Sequence, residues 1–410
     1  MKIEKLTKNQ QELVKDLYRL CFAAPFDSES ITAVMNSDDL WEFVWGVIED
    51  DLLLSSYVAY QGQVKIRSIS FDIHYFDGFV TRPGYRNLGM GRKLFEHQRE
   101  VAKETGIKLF ALDPFKNSYY KQFGFEDALD LWKIEIPMRN FSNKKAEDLY
   151  PTKTISMYHS ELANNVLRDI YEREWSEGFY NPMHLPDAYF KGMFQNKSWK
   201  LCFLKNEYGQ HIGSMLYEIK ERTMTVYKLS FFDLKGLLTF RDFLAQFRDQ
   251  IDTIHFFKAP PDFPIDIFTD TYHAGSSHVK MQIYPTRMIQ ILDIEYAIKK
   301  ILTVLNLPEM PLAIKFIDKE IKENNKILSI SKEGVKSIRR KNYDLVEMEV
   351  SDFVPIFTGK YLFSDQFKKG KIKMEASSNP FWNNTLLPDM IQHLDRAFEK
   401  TVTHNNEFCF

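Results

Sequence analysis

The segment Thr81-Arg82-Pro83-Gly84-Tyr85-Arg86-Asn87-Leu88-Gly89-Met90-Gly91-Arg92 constrains this chain more than any other stretch. Before it, Trp45 to Thr81 is rich in β-branched and aromatic residues, with polar breaks at Asp50-Asp51, Gln61-Gly62 and Asp77-Gly78, and reads as several antiparallel strands. After it, Met90, Leu94, Phe95, Val101 and Ala102 recur at helical spacing up to Gly106, which reads as the residue just past a helix end, and strand Ile107–Leu112 follows. A strand, a glycine-bearing loop and a helix start make an anion cradle, because the first helical amides lack internal partners and the helix dipole is positive there. Glycine at 89 and 91 lets a phosphate approach the backbone, and Arg86 and Arg92 add charge-assisted contacts. The plainer alternative is a glycine turn with solvated arginines. A Walker loop would end in Gly-Lys-Ser/Thr and a dinucleotide fingerprint would read G-x-G-x-x-G, so neither fits.

The 410 residues suffice for two or three domains with real cores, and 44% hydrophobic with 15% aromatic residues excludes a disordered or fibrous chain. A net charge of −2 offers no basic field for nucleic acid. Cys21, Cys202 and Cys409 are far apart and form no C-x-x-C, and His255, His273 and His278 lack partners at metal spacing, so neither a disulfide framework nor a metal is expected. The amino-terminal lysines precede no apolar run, and no stretch approaches the roughly 18 apolar residues of a membrane span. A cytoplasmic protein is the expectation.

Residues 7–22 open with a capping-box pattern, Thr7 to Gln10, and put Leu13, Val14, Leu17, Tyr18 and Cys21 on one helical face. A second short helix is expected near Ser28–Met35. The polar stretch Asn140–Asp148 marks a first boundary. A second segment repeats the architecture of the first: helix Leu162–Trp175, strands Trp199–Leu204, Ile212–Ile219 and Thr225–Phe232, helix Leu237–Phe247 and strand Thr253–Phe257. From Tyr284-Pro285 a third begins, with strand Met288–Leu292, helix Ile294–Leu305, and a hairpin of Leu312–Asp318 and Ile327–Ser331 around Glu323-Asn324-Asn325.

Arg86-Asn87-Leu88-Gly89-Met90-Gly91 matches Arg/Gln-x-x-Gly-x-Gly/Ala, and downstream Tyr119-Tyr120-Lys121-Gln122-Phe123-Gly124-Phe125 matches Tyr-x-x-x-Gly-Phe. With these two ordered motifs the sequence resembles the GNAT acetyltransferases, whose acetyl-CoA pyrophosphate loop has the first pattern. Over nearly the whole chain it resembles the Eis (enhanced intracellular survival) acetyltransferases. That resemblance also rests on Pro285 to Asp293, on Asp344-Leu345 leading to Asp352-Phe353, and on Thr358-Gly359. It implies an α+β chain: a catalytic GNAT domain at 1–148, a degenerate GNAT-like domain at 149–284, each a mixed sheet flanked by helices, and a sterol-carrier-protein-like domain at 285–410. The second segment has only Phe232-Asp233-Leu234-Lys235-Gly236-Leu237 where the loop motif would stand, so one cofactor site per chain is expected.

The resemblance further implies roles. Phe79, Val80 and Thr81 border the pantetheine and offer an amide to the thioester oxygen; Arg86, Asn87, Leu88, Gly89, Met90, Gly91 and Arg92 hold the pyrophosphate; Phe115 and Lys116, with Asn117, border the pantetheine. Tyr120 is the general acid, against the alternative that it is a core tyrosine, a role better suited to Tyr119. The terminal carboxylate of Phe410 is the base, consistent with the apolar ending Glu407-Phe408-Cys409-Phe410; the alternative is a tail that only seals an interface. Cys409 has no role. His74 reads as a strand histidine satisfied by the fold rather than a relay, Lys368 to Lys373 as a solvated loop, and Asp27, Asp38, Asp39, Asp50 and Asp51 as surface residues rather than an amine pocket. The expected reaction is acetyl-CoA-dependent N-acetylation of a polycationic small molecule, aminoglycoside- or polyamine-like, by a homohexamer. The alternatives are acetylation of a protein lysine or amino terminus, a Fem-like aminoacyl transfer, which the loop motif disfavours, and a non-catalytic acyl or lipid carrier.

Overall fold

The computed structural model describes residues 2–22, 35–177, 183–190, 196–260, 263–269, 279–309, 311–339, 345–375 and 387–400. The helix expected near Ser28–Met35 and the tail Val402–Phe410 lie outside or almost outside these residues. The chain divides into two compact units: Met1–Ala24, Trp41–Leu129 and Pro285–Thr403 form one, and Pro25–Leu40, Asp130–Tyr284 and His404–Phe410 the other.

In the first unit, strands β1 (Lys2–Lys5), β2 (Val44–Glu49), β3 (Leu52–Ile66), β4 (Ile69–Thr81) and β5 (Leu109–Leu112) lie side by side in that order. They pair antiparallel as far as β4, and β4 pairs parallel with β5. Met288 to Ile291 then pair antiparallel with β5. Helix α1 (Gln11–Cys21) follows the expected capping box, in which the Thr7 amide donates to Gln10 Oε1 at 2.7 Å. It buries Val14 and Leu17. Helix α2 (Met90–Thr105) connects β4 to β5 and stops at Gly106, whose φ of +76° is the left-handed conformation that ends a helix cheaply only in glycine. On its face toward the sheet, Phe95 joins Phe76, Phe110 and Phe125 in an aromatic core with centroid spacings of 5.0–6.4 Å. At roughly 1.5–3 kcal/mol per buried large side chain, this cluster anchors the helix that starts at the glycine loop.

Asp50-Asp51 turns the chain between β2 and β3, as expected, with φ of +49° and +59°. Gln61-Gly62 is not a break: β3 runs through it, with Gln61 opposite His74 and Gly62 opposite Ile73. The turn comes at Arg67-Ser68, with φ of +52° and +65° and no glycine or asparagine to signal it. What compensates is tertiary. The Arg67 side chain is buried and donates to the carbonyls of Phe357 (3.0 Å), Ile356 (2.8 Å) and Glu399 (2.8 Å), at the ends of helices Val350–Phe357 and Leu387–Ala397. Helix C-termini carry partial negative charge, so a buried guanidinium is satisfied there. Burial lowers its pKa to about 10, which still leaves it charged.

The third sequence segment contributes a five-stranded sheet to this unit, in the order Gly334–Ile338, Lys326–Ser331, Leu312–Ile317, Leu345–Glu349, Ile372–Glu375. The hairpin expected from Leu312 to Ser331 is present, with Ile314 opposite Leu328. The second unit has helix Glu161–Glu177 and a sheet ordered Glu126–Pro137, Thr253–Ala259, Thr223–Phe231, His211–Lys220, Lys200–Lys205, Thr152–Ser156. Its parallel pair, Met224 opposite Ile254, is joined through helix Leu234–Ala245, the same strand–helix–strand frame as in the first unit. Among the described residues no helix is long and apolar enough to cross a membrane.

Candidate active site

The site begins where two strands part. β4 and β5 pair only from Ile73/Leu109 to Phe76/Leu112; β5 then ends while β4 runs on to Thr81. In that stretch β4 carries a bulge, since Val58 pairs with Asp77 and Ser56 with Val80, leaving Gly78 and Phe79 opposite Tyr57. The residues Asp77-Gly78 that read as a strand break are therefore the bulge of a continuous strand. Gly78 has φ +58°, and its amide donates to Asp77 Oδ1 at 2.7 Å. The Phe79 ring stacks on Phe95 at 4.9 Å, and Ser55 Oγ donates to the Val80 carbonyl at 2.6 Å, which holds this edge of the fork.

Beyond Thr81, Pro83–Tyr85 form a tight turn, Asn87 takes φ +64° and Gly89 φ +77° as the cap of α2. The first helical bond is Lys93 N–H to Gly89 O at 3.1 Å, so the amides ahead of it have no partner within the helix. The two motif glycines serve different needs. A Cβ on Gly89 would meet open space, so that position needs glycine for its backbone conformation; a Cβ on Gly91 would overlap the Tyr119 hydroxyl and touch Phe123 at 3.5 Å, so that position needs glycine for room. The arginines also differ. Arg82 pairs with Asp16 at 2.7 Å and Arg92 with Glu320 at 2.6 Å, whereas Arg86 gives one Nε–H to the Thr81 carbonyl at 3.1 Å and is paired with no carboxylate among the described residues.

A pocket of about 780 Å³ opens here. Phe79, Val80 and Thr81 line it from the strand, Arg86, Asn87, Gly89, Met90, Gly91 and Arg92 from the loop and helix, and Phe115 from the far side. Leu88 is 62% exposed and is not among the lining residues, nor is the exposed Lys116. Cys21 and Tyr119 line it as well, although the sequence motifs assign neither of them a place there; Cys21 Sγ donates to the Thr81 carbonyl at 3.4 Å, a contact between chain positions 60 apart that no local pattern reveals. Of the adjacent tyrosines, Tyr119, expected in the core, lines the pocket wall, while Tyr120 is 4% exposed and packs edge-on against Phe95 and against Phe115, itself a pocket-lining residue. Burial, with help from Tyr119 and Asp77, pushes the Tyr120 phenol pKa upward, so it holds its proton at neutral pH. Phe410 lies outside the described residues.

His74 sits beneath the fork as a satisfied core residue: its Nδ1 meets Gln98 Nε2 at 2.9 Å, Gln98 Oε1 accepts from the Tyr57 hydroxyl at 2.7 Å, and burial lowers its pKa to about 4. In the second unit the corresponding helix start is already filled. The Asp233 carboxylate caps helix Leu234–Ala245 by accepting from the Gly236 amide at 2.6 Å, which puts a negative charge where an anion would have to sit.

Residues 2–128 match the family described as the acetyltransferase (GNAT) domain. No curated protein matches the chain. Three solved structures share its fold at 14% identity: a probable N-acyltransferase of unknown function from Enterococcus faecalis V583 (TM-score 0.76, covering 97% of this chain and 96% of that one), a GCN5-related N-acetyltransferase from Kribbella flavida (0.73, 100% and 98%) and Eis1 from Mycobacterium abscessus (0.75, 97% and 97%). The anion-ready loop, the fork beside it and the family match over the same residues lead to one conclusion: this chain is an enzyme whose residues 2–128 form a GNAT acetyltransferase domain.

Proposed function

We propose that this enzyme transfers an acetyl group from acetyl-CoA to a primary amine of a polycationic small molecule, of aminoglycoside or polyamine type, by direct attack of the amine on the thioester. The observation that carries the reading is the pocket at the β4–β5 fork, whose rim combines unpaired helix-start amides, a left-handed Gly89 and an arginine that no described carboxylate engages. A pyrophosphate fits that rim because it supplies the negative charge that the amides and Arg86 lack. Acetyl-CoA, when bound, supplies an activated acyl group. The protein's own residues then have three tasks. The Phe79–Thr81 strand borders the thioester and offers it an amide, the acceptor must lose a proton to become nucleophilic, and the Tyr120 phenol supplies one to the departing sulfur.

The likeness to Eis1 over 97% of both chains supports an Eis-type reading of the whole molecule: catalytic residues 1–148, a degenerate GNAT-like partner at 149–284, a sterol-carrier-like part at 285–410, the Phe410 carboxylate as base, and a hexameric assembly. The test is release of CoA thiol from acetyl-CoA against aminoglycosides, polyamines and a lysine peptide. Turnover with the polyamino compounds, lost on deletion of Phe410, is the expected result; turnover with the peptide alone would replace this reading with protein acetylation.

A further inference from the structure

We infer that the Tyr119 hydroxyl donates a hydrogen bond to the cofactor's pyrophosphate at the start of α2, and that position 91 is glycine so that this hydroxyl can stand there. The inference rests on the cofactor site proposed above and adds to it a binding residue that the loop motif does not contain. Tyr119, in the short helix Asn117–Lys121, lines the pocket together with Arg86, Asn87, Gly89 and Gly91. Its hydroxyl occupies the space where a Cβ on Gly91 would be, and its Cζ lies 3.4 Å from that point. Gly91 is the second residue of α2, next to the cap Gly89, and its amide is one of those without a partner within the helix. Cα–Cβ bonds in a helix tilt toward its N-terminus, so a group standing in place of that Cβ is displaced toward the end at which an anion binds. The ring has little room to leave. Tyr120, Phe123, Phe115 and Phe79 surround it at centroid spacings of 5.1, 5.3, 5.5 and 6.5 Å. A hydroxyl held this way gives up little side-chain freedom when a ligand arrives.

The hydroxyl is also spare. Among the described residues nothing bonds it, whereas tyrosine hydroxyls drawn into packed surroundings normally find a partner. Burial raises its pKa, so at neutral pH it keeps its proton and is a donor. Pyrophosphate oxygens are charged acceptors, and an O–H bonded to such an oxygen makes the stronger, charge-assisted kind of hydrogen bond. Packing alone does not account for the pair. Three of the four rings around Tyr119 are phenylalanines, and a phenylalanine at 119 would fill the same wall. Without the hydroxyl, a Cβ at position 91 would meet only Cζ at 3.4 Å and Phe123 at 3.5 Å, ordinary contact distances. The chain instead keeps a glycine inside a helix, which lowers helix stability relative to alanine, and a hydroxyl with no partner of its own. Both features are explained if the hydroxyl's partner is the ligand.

The experiment uses the full chain and measures by titration calorimetry the Kd of CoA and of dephospho-CoA, which keeps the pyrophosphate and lacks the 3′-phosphate. For Y119F we expect both affinities to fall by the same factor, about 10- to 100-fold. G91A should lose at least as much, because its Cβ displaces the hydroxyl, and adding Y119F to G91A should relieve the overlap and bring affinity back to the Y119F level, short of wild type. Wild-type affinity in Y119F, or in the G91A/Y119F double variant, would mean that the hydroxyl only fills space; it would overturn the inference and leave the cofactor site standing. A loss seen with CoA that disappears with dephospho-CoA would overturn it as well, since the hydroxyl would then serve the 3′-phosphate. Failure of the wild type to bind CoA at all would overturn the cofactor site and this inference together.

Discussion

Replacing Arg86 by Ala separates the loop's arginines by function. Three arginines lie within or next to the loop, but Arg82 and Arg92 are each already bonded to a carboxylate, at 2.7 and 2.6 Å. A pyrophosphate must compete with Asp16 or Glu320 for those two and with no described carboxylate for Arg86. A hydrogen bond to a charged group contributes about 1.5–3 kcal/mol, so at about 1.4 kcal/mol per decade Arg86→Ala should weaken acetyl-CoA binding roughly 10- to 100-fold. Arg92→Ala should weaken it less, because the removed cation was neutralised by Glu320, which keeps Arg99 at 3.4 Å as a partner. Titration calorimetry with acetyl-CoA at low and moderate salt measures both. Raising the salt should weaken wild-type binding more than binding by Arg86→Ala, since an exposed guanidinium and a phosphate attract each other through screening solvent. Equal losses in the two variants, or a larger loss for Arg92→Ala, would refute the argument that carboxylate pairing decides which arginine serves the ligand.

Gly89→Asp and Gly91→Asp should each abolish acetyl-CoA binding in the same assay, whereas the alanine variants should differ: Gly89→Ala costs about 1–2 kcal/mol in backbone strain, and Gly91→Ala forces Tyr119 out of the pocket wall. Tyr120→Phe should lower kcat about 10²- to 10⁴-fold in a thiol-release assay and leave the acetyl-CoA Kd unchanged; wild-type turnover would remove the phenol from the reaction. His74 gives a pH prediction. Its folded pKa, near 4, lies below the ordinary 6.5, so the unfolded chain binds the extra proton between these values and stability falls as pH drops through that window. From pH 7 to pH 5 the loss is about 2 kcal/mol, read as denaturation midpoint against pH, and His74→Phe should flatten that slope.

The site's local machinery was legible because it depends on neighbours in the chain. A loop with glycines at fixed offsets before an amphipathic stretch can only be a strand-to-helix turn, and the Thr7–Gln10 capping box and the Gly106 stop are likewise properties of a few consecutive residues. The two misplaced breaks in the β run fail for the converse reason. Gly62 and Gly78 look like turn residues locally, but the long β3–β4 ladder holds each of them inside a strand, while the real turn at Arg67-Ser68 is stabilised by carbonyls about 290 and 330 positions away.

By itself the sequence therefore determined the order of elements, the anion-ready loop and the kinds of residue around it, since period, capping and backbone conformation are short-range. Which of those residues can act was decided only by the tertiary structure. Glu320 neutralises Arg92, packing turns Tyr119 to the pocket wall, and Gln98 satisfies His74. The reason is that charge pairing and burial are set by partners from distant segments, and these govern whether a group is spent on the fold or available to a ligand.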